Sequence, residues 1–237
     1  MIEVIRGQGI IPFFRSGYPG WSIEERTAPG CWFFETEGVL GPWDWKIDAV
    51  RTGEIAYGKF IGGKAAFATT QWYRHLMNWR RSLPLYRMAL GEEYQPRNRQ
   101  EEKMMRLAPA ALSHIRKSGE SGARELRTAL SAIDSSVKKA TVDSVLQFLQ
   151  MGTWTVIGEF ERVYRGPNLE YNGWQRASNT TPEALFGEGG SPQEGKQPFW
   201  ASIIEDDTDS PLQVDCSPEE SRALLLEKFP GLGAKKL

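Results

Sequence analysis

Between Arg99 and Tyr164 the hydrophobic period changes in a fixed order: a long stretch at helical spacing, a short one, a third, then aromatic and β-branched runs. Met105, Leu107, Ala108, Ala111, Leu112 and Ile115 recur every three to four residues and give the first helix one apolar stripe. Pro109 falls inside it and is expected to kink or split it, because proline lacks the N–H that a helix needs. Ser118-Gly119-Glu120-Ser121-Gly122 reads as a turn, and Leu126 and Leu130 set the buried side of a short second helix. Thr141 is the expected N-cap of the third helix, which Val142, Val145, Leu146 and Leu149 hold to a core until Gly152 stops it. Trp154–Ile157 and Phe160–Tyr164 then read as two strands turning at Gly158-Glu159. Three helices and a hairpin in this order predict an α+β fold: a winged-helix domain (helix-turn-helix plus β-hairpin) with an N-terminal aromatic-rich α/β portion.

Such a unit can bind DNA or another protein, and local charge favours DNA. From Arg74 to Lys139 fourteen Lys and Arg face seven acids, a surplus of seven within a chain whose overall formal charge is −1. Arg74, Arg80, Arg81, Lys138 and Lys139 are the candidate phosphate contacts in that stretch. The third helix is expected to expose Asp143, Ser144, Gln147 and Gln150, so it would read base edges through Gln147 more than it would grip phosphate. A plain solvated surface is the competing reading of the same cations.

The first hundred residues have another texture. Tyr18-Pro19-Gly20-Trp21, Cys31-Trp32-Phe33-Phe34 and Gly41-Pro42-Trp43-Asp44-Trp45 set aromatics between glycines and prolines, which predicts short strands and tight connections. On a strand Trp43 and Trp45 would share a face, either stacking a base or filling the core of a small sheet. Ile55–Ile61 and Ala65–Ala68 read as a strand pair turning at Gly62-Gly63. A helix capped by Thr70 follows, with Trp72, Tyr73, Leu76 and Trp79 inward and Arg74, Arg80 and Arg81 outward. Residues 1–98, 99–187 and 188–237 are therefore taken as an N-terminal portion, the winged helix, and an acidic linker with a last helix.

Tyr57-Gly58-Lys59-Phe60-Ile61-Gly62-Gly63-Lys64-Ala65-Ala66-Phe67-Ala68 and the Trp72–Arg81 helix resemble the winged-helix DNA glycosylases of the AlkZ type, and more closely a family of small AlkZ-related proteins. Gly41-Pro42-Trp43-Asp44-Trp45-Lys46, Leu149–Trp154 and Tyr171-Asn172-Gly173-Trp174 resemble further signatures of that group. The resemblance covers roughly residues 10 to 187. It implies tandem winged-helix-like elements cradling duplex DNA, and hydrolysis of the N-glycosidic bond to a modified purine. AlkZ-type enzymes use a Gln-x-Gln or Gln-x-Asp pair that the first part of this chain lacks; Gln213-Val214-Asp215 matches in letters but lies in the acidic end. Lys59 and Lys64 stand where those enzymes tend to carry a histidine. Either lysine can contact phosphate, and Lys64 is the candidate amine to attack a sugar C1′; a surface lysine beside a turn is the alternative.

Other chemistry rests on carboxylates. Glu35, Glu37, Asp44, Asp48 and Glu54 populate the aromatic segment, and Glu37 and Asp44 are the candidates for general acid and base work. His75 and His114 are isolated in sequence and read as structural. Cys31 and Cys216 are too few and too distant for a disulfide framework or a zinc site, which predicts a reducing compartment, and neither reads as a nucleophile. No stretch has the pattern of a phosphate loop, a signal peptide or a membrane span, so neither cofactor nor metal is expected and a cytoplasmic location is. Glu188 to Pro198 reads as a connector, and between Glu183 and Glu220 ten acids meet one base, Lys196. That acidic segment would bind a protein partner, lie on the basic middle in place of phosphate, or serve solubility. Ser217-Pro218-Glu219-Glu220 carries the signature of a capping box opening a last helix.

Overall fold

Gly62 and Gly63 are where the N-terminal sheet turns. Both take positive φ, 56° and 74°, the backbone that a two-residue hairpin needs and that glycine adopts at no steric cost. In the computed structural model, which describes residues 1–32, 40–187 and 212–233, this turn joins β2 (Ile55–Ile61) to β3 (Lys64–Thr69). A short helix α1 (Ile2–Gln8) leads into β1 (Ile10–Pro12), which pairs with the far edge of β3 to give the order β1-β3-β2, antiparallel throughout. Helices α2 (Pro42–Arg51) and α3 (Thr70–Ser82) bury this sheet, and Ile10, Ile11, Phe13, Ile55, Phe60, Phe67, Tyr73 and Leu76 are all 0 % exposed. The Trp43 and Trp45 strand is thus corrected: Gly41 caps a helix with Pro42 in its first turn, and the two rings point to different sides of it. A one-turn helix α4 (Pro84–Arg87) closes the N-terminal half.

The second half follows the expected order of helices. α5 (Arg99–Ser118) starts where the Asn98 side chain accepts from the N–H groups of Gln100 and Glu101, each at 3.0 Å. It runs through Pro109 as one helix, so the expected split does not occur. The Ser118–Gly122 turn contains a short strand, β4 (Glu120–Gly122), followed by α6 (Ala123–Ser131) and α7 (Lys139–Met151). α7 is capped at Lys138, three residues before Thr141, whose hydroxyl is instead buried and accepts from Lys103 Nζ at 2.9 Å.

Gly158-Glu159 is a bulge and not a turn. Ile157 pairs with Asn179 and Glu159 with Ser178, so Gly158 is the extra residue in one continuous strand, β5 (Val156–Arg165). The chain turns later, across residues 166–169, into β6 (Glu170–Thr180), which β4 joins to make the order β4-β6-β5. A glycine inside an alternating run signals either feature, which is why the sequence misplaces the hairpin. α8 (Pro182–Phe186) follows, and α9 (Pro218–Lys228) begins with the expected capping box of Ser217 and Glu220.

Two apolar clusters result. One gathers the N-terminal sheet with Val156, Phe160, Phe186, Leu225, Phe229 and Leu232; the other gathers α5, α6 and α7 with Met88 and Trp154. Polar ties hold them together. Gln150 Oε1 accepts from the Lys59 N–H at 2.7 Å and its Nε2 donates to Asn179 Oδ1 at 2.8 Å. Gln150 is therefore buried, contrary to its expected place on the outer face of α7.

Candidate site beneath the long hairpin

The first turn of α2 places Trp43, Asp44 and Lys46 under the β5–β6 ribbon. Residues two apart on a helix lie on nearly opposite sides, yet Asp44 is 1 % and Lys46 2 % exposed, because α2 is packed between β2 and β5. Phe160, Arg162 and Tyr164 alternate onto the ribbon face that covers α2, and Tyr171 and Gln175 join them through the pairs Tyr164↔Tyr171 and Arg162↔Gln175.

Asp44 Oδ1 accepts from the Tyr171 hydroxyl at 2.7 Å and from Gln175 Nε2 at 3.1 Å, and lies 3.6 Å from Arg162 Nε. Gln175 Nε2 also donates to the Tyr171 oxygen at 2.8 Å. Burial, and then the hydrogen bond to Asp44, raise the Tyr171 phenol above its usual range. Lys46 Nζ donates to the Trp43 carbonyl at 2.6 Å and sits 3.4 Å above the Trp43 ring and 4.9 Å from that of Phe160. Burial lowers its pKa to about 7 against the opposing pull of Asp44. The result is a closed polar cluster: a carboxylate held by a phenol, an amide and a guanidinium, with an amine that loses its proton near neutrality. A carboxylate so held can orient water or face a developing cation. In this conformation no substrate atom reaches either group.

The other expected site residues fall elsewhere. Glu35 and Glu37 lie outside the described residues, as does the connector Glu188–Pro198. Lys64 is exposed at the start of β3 and Lys59 is exposed on β2. Gln147 is exposed on α7 and its side chain lies against the β2–β3 turn at Gly63, where a Cβ would run into its amide. Lys138 and Lys139 are exposed at the other end of α7, about 12 Å along the axis. Arg74 is half-buried on α3.

Two arginines are corrected. Arg80 is 0 % exposed, on the same side of α3 as Tyr73, Leu76 and Met77, so it cannot meet a phosphate. Arg81 pairs with Glu183 at 2.5 Å, donates to the Thr153 carbonyl at 2.8 Å and stacks 4.4 Å from the Trp154 ring, which commits it to joining α3 to α7 and α8. Adjacent arginines on a helix lie 100° apart, so one of them faces the core when the apolar stripe is wide. Lys46 and Tyr171 enter the sequence reading only inside family signatures, and neither they nor Arg162 and Gln175 are assigned to a site there. The spacing of Tyr171 and Gln175, four apart on a strand, was the available signal.

Beyond Arg162 only Tyr171 still reaches α2 among the described side chains of the ribbon, and the ribbon tip is exposed. Tyr164, Leu169 and Trp174 are 53, 70 and 62 % exposed, Arg165 and Arg176 are exposed beside them, and Leu169 takes a left-handed φ of 51°. Among the described residues no group of side chains could hold a metal ion, and no helix is long and apolar enough to cross a membrane. The profile of a family described as AlkZ related matches residues 1–199. No curated protein and no solved structure matches the chain.

Proposed function

The chain belongs to the AlkZ-related family, and from that membership we propose that it binds duplex DNA as a relative of the winged-helix DNA glycosylases. Residues 99–187 serve as the winged helix in this reading: helix, strand, two helices and a two-stranded wing, with β4 paired to the wing through β6. The observation that carries the proposal is the ribbon tip. Leu169, Trp174 and the Tyr164 ring are held in water on a ribbon whose exposed arginines alternate with acids, Arg176 near Glu161 and Arg165 opposite Glu170, and the outermost of the three, Leu169, occupies a backbone region that β-turn glycines normally fill. Apolar wedges suit an opened base step in a minor groove. Lys138 and Lys139 at the start of α7, Arg124 and Arg127 on α6, and Lys59 and Lys64 on the first sheet supply phosphate contacts.

The closed state of Asp44 and Lys46 favours binding over turnover, as does the missing glutamine pair. Excision by the intact protein is expected to be weak or absent on a panel of modified-base duplexes, no adduct is expected to be trapped by borohydride, and Lys64→Ala should weaken binding by a modest, sequence-independent amount.

A salt titration tests the binding. The log–log slope should be steep, with each phosphate contact adding roughly 0.9 to its magnitude, so replacing Lys138 and Lys139 with alanine removes about 1.8. Leu169→Ala and Trp174→Ala should lower affinity and leave the slope unchanged. Failure of the wild-type chain to retain duplex DNA at low salt would exclude the proposal.

A further inference from the structure

α9 and α3 meet around one hydroxyl. Ser221 on α9 is 0 % exposed, and its Oγ has three partners: Asn78 Nδ2 at 2.9 Å, His75 Nδ1 at 3.0 Å and Cys216 Sγ at 3.1 Å. Asn78 Nδ2 also donates to the Cys216 carbonyl at 2.9 Å, which fixes that residue against α3. The thiol itself lies 3.9 Å from His75 Nδ1 and is half-buried, whereas Cys31 is exposed.

A hydroxyl has one proton to donate and two lone pairs to accept with. Asn78 can only donate, so it takes one lone pair. That leaves one donor and one acceptor site for two partners, and two arrangements are possible. In the first, the thiol donates to Ser221 Oγ and the hydroxyl donates to His75 Nδ1. In the second, Nδ1–H donates to Oγ and the hydroxyl donates to sulfur, which is a thiol when the imidazole is the neutral Nδ1–H tautomer and a thiolate when the imidazole has taken its proton. Passing from the first to the thiolate form of the second moves one proton from sulfur to Oγ while the hydroxyl proton moves to Nδ1.

We propose that Cys216 is a reactive thiol, with Ser221 relaying its proton to His75, and that this junction is a modification site for soft electrophiles such as alkyl donors. The reaction balances within the site. Sulfur forms a bond to the electrophilic carbon, the leaving group departs with its electron pair, and the proton released from sulfur is held on the imidazole until solvent removes it.

The surrounding charges are Arg74 on α3 beside His75, and Asp215, Glu219, Glu220 and Arg222 flanking or on α9. Glu220 is engaged by the Ser217 N–H and hydroxyl at 2.7 and 2.8 Å. Burial, and then Arg74, lower the His75 pKa, which limits how long the imidazole holds the proton. Sequence reading missed the cluster because His75, Cys216 and Ser221 are brought together only by the docking of α9 on α3.

The test compares the two thiols in the full-length chain. Iodoacetamide alkylation at pH 7 is timed for Cys216 in the Cys31→Ser variant and for Cys31 in the Cys216→Ser variant, each relative to N-acetylcysteine. Cys216 should react roughly tenfold faster than the free thiol, because the relay takes up the proton as sulfur attacks. Ser221→Ala and His75→Gln in the Cys31→Ser background should remove that gain. Alkylation no faster than that of Cys31 and N-acetylcysteine would overturn the proposal, and this comparison stands even where the Ser221 or His75 variant fails to fold. A fast rate that neither folded variant lowers would overturn the relay.

Discussion

A lysine that sits on an indole with one hydrogen bond to its ammonium is an expensive residue to bury, and Lys46 makes the stability of this protein depend on pH. The folded chain releases its proton near pH 7, whereas the unfolded chain keeps it to the ordinary value of 10.5. Between these values the unfolded state binds more protons, so stability rises with pH, by at most about 1.4 kcal/mol per unit. Below pH 7 both states are protonated and the contribution of this group is at its least favourable. Lys46→Met keeps the packing on Trp43 and Phe160 and removes the titration. The difference between wild type and variant in urea unfolding should therefore shrink from pH 7 to pH 9; a constant difference would show that the amine keeps its usual acidity. Asp44 was legible in the sequence as an acid among aromatics. Its partners were not, since Arg162, Tyr171 and Gln175 reach it from strands more than a hundred residues away.

At the scale of elements, periodicity fixed α5, α6 and α7 closely, because each carries an apolar stripe that only one orientation can bury. It failed where the buried groups were polar. Gln147 and Gln150 lie on adjacent sides of α7, and nothing in their chemistry distinguishes the one that touches solvent from the one that bridges two sheets. Leu149 is 0 % and Gln150 4 % exposed. Leu149→Ala should cost about 2–5 kcal/mol through the cavity it leaves. Gln150→Ala should cost about 1–3 kcal/mol, since it strands the Lys59 N–H and the Asn179 side chain. Gln147→Ala should change stability by less than about 0.5 kcal/mol. Chemical denaturation of the three variants checks the order; equal losses at Gln147 and Gln150 would mean that α7 is rotated from its place here.

The whole molecule depends on a segment beyond the family match. Residues 1–199 carry the match, but Leu225, Phe229 and Leu232 lie past it and fill the first apolar cluster. Phe229 is 4 % exposed and meets Trp72 edge-on, with ring centroids 4.9 Å apart at 88°. Arg222 adds a cation over Trp79, 5.4 Å from its ring, so α9 holds α3 along its length. The two clusters are themselves joined by Gln150 on α7, which bonds the Lys59 N–H and Asn179, and by Arg81 on α3, which donates to the Thr153 carbonyl and stacks on Trp154. A chain tied in this way should unfold as one unit. Urea transitions followed by tryptophan fluorescence, which reports mostly on the first cluster, and by far-UV circular dichroism, which reports on the helices of the second, should coincide. Phe229→Ala removes an aromatic ring from the first cluster and should cost about 3–5 kcal/mol. Because the ties transmit that loss, both transitions should move together to lower urea. If fluorescence shifts and circular dichroism does not, the ties are weaker than the cores and the second cluster folds without the first.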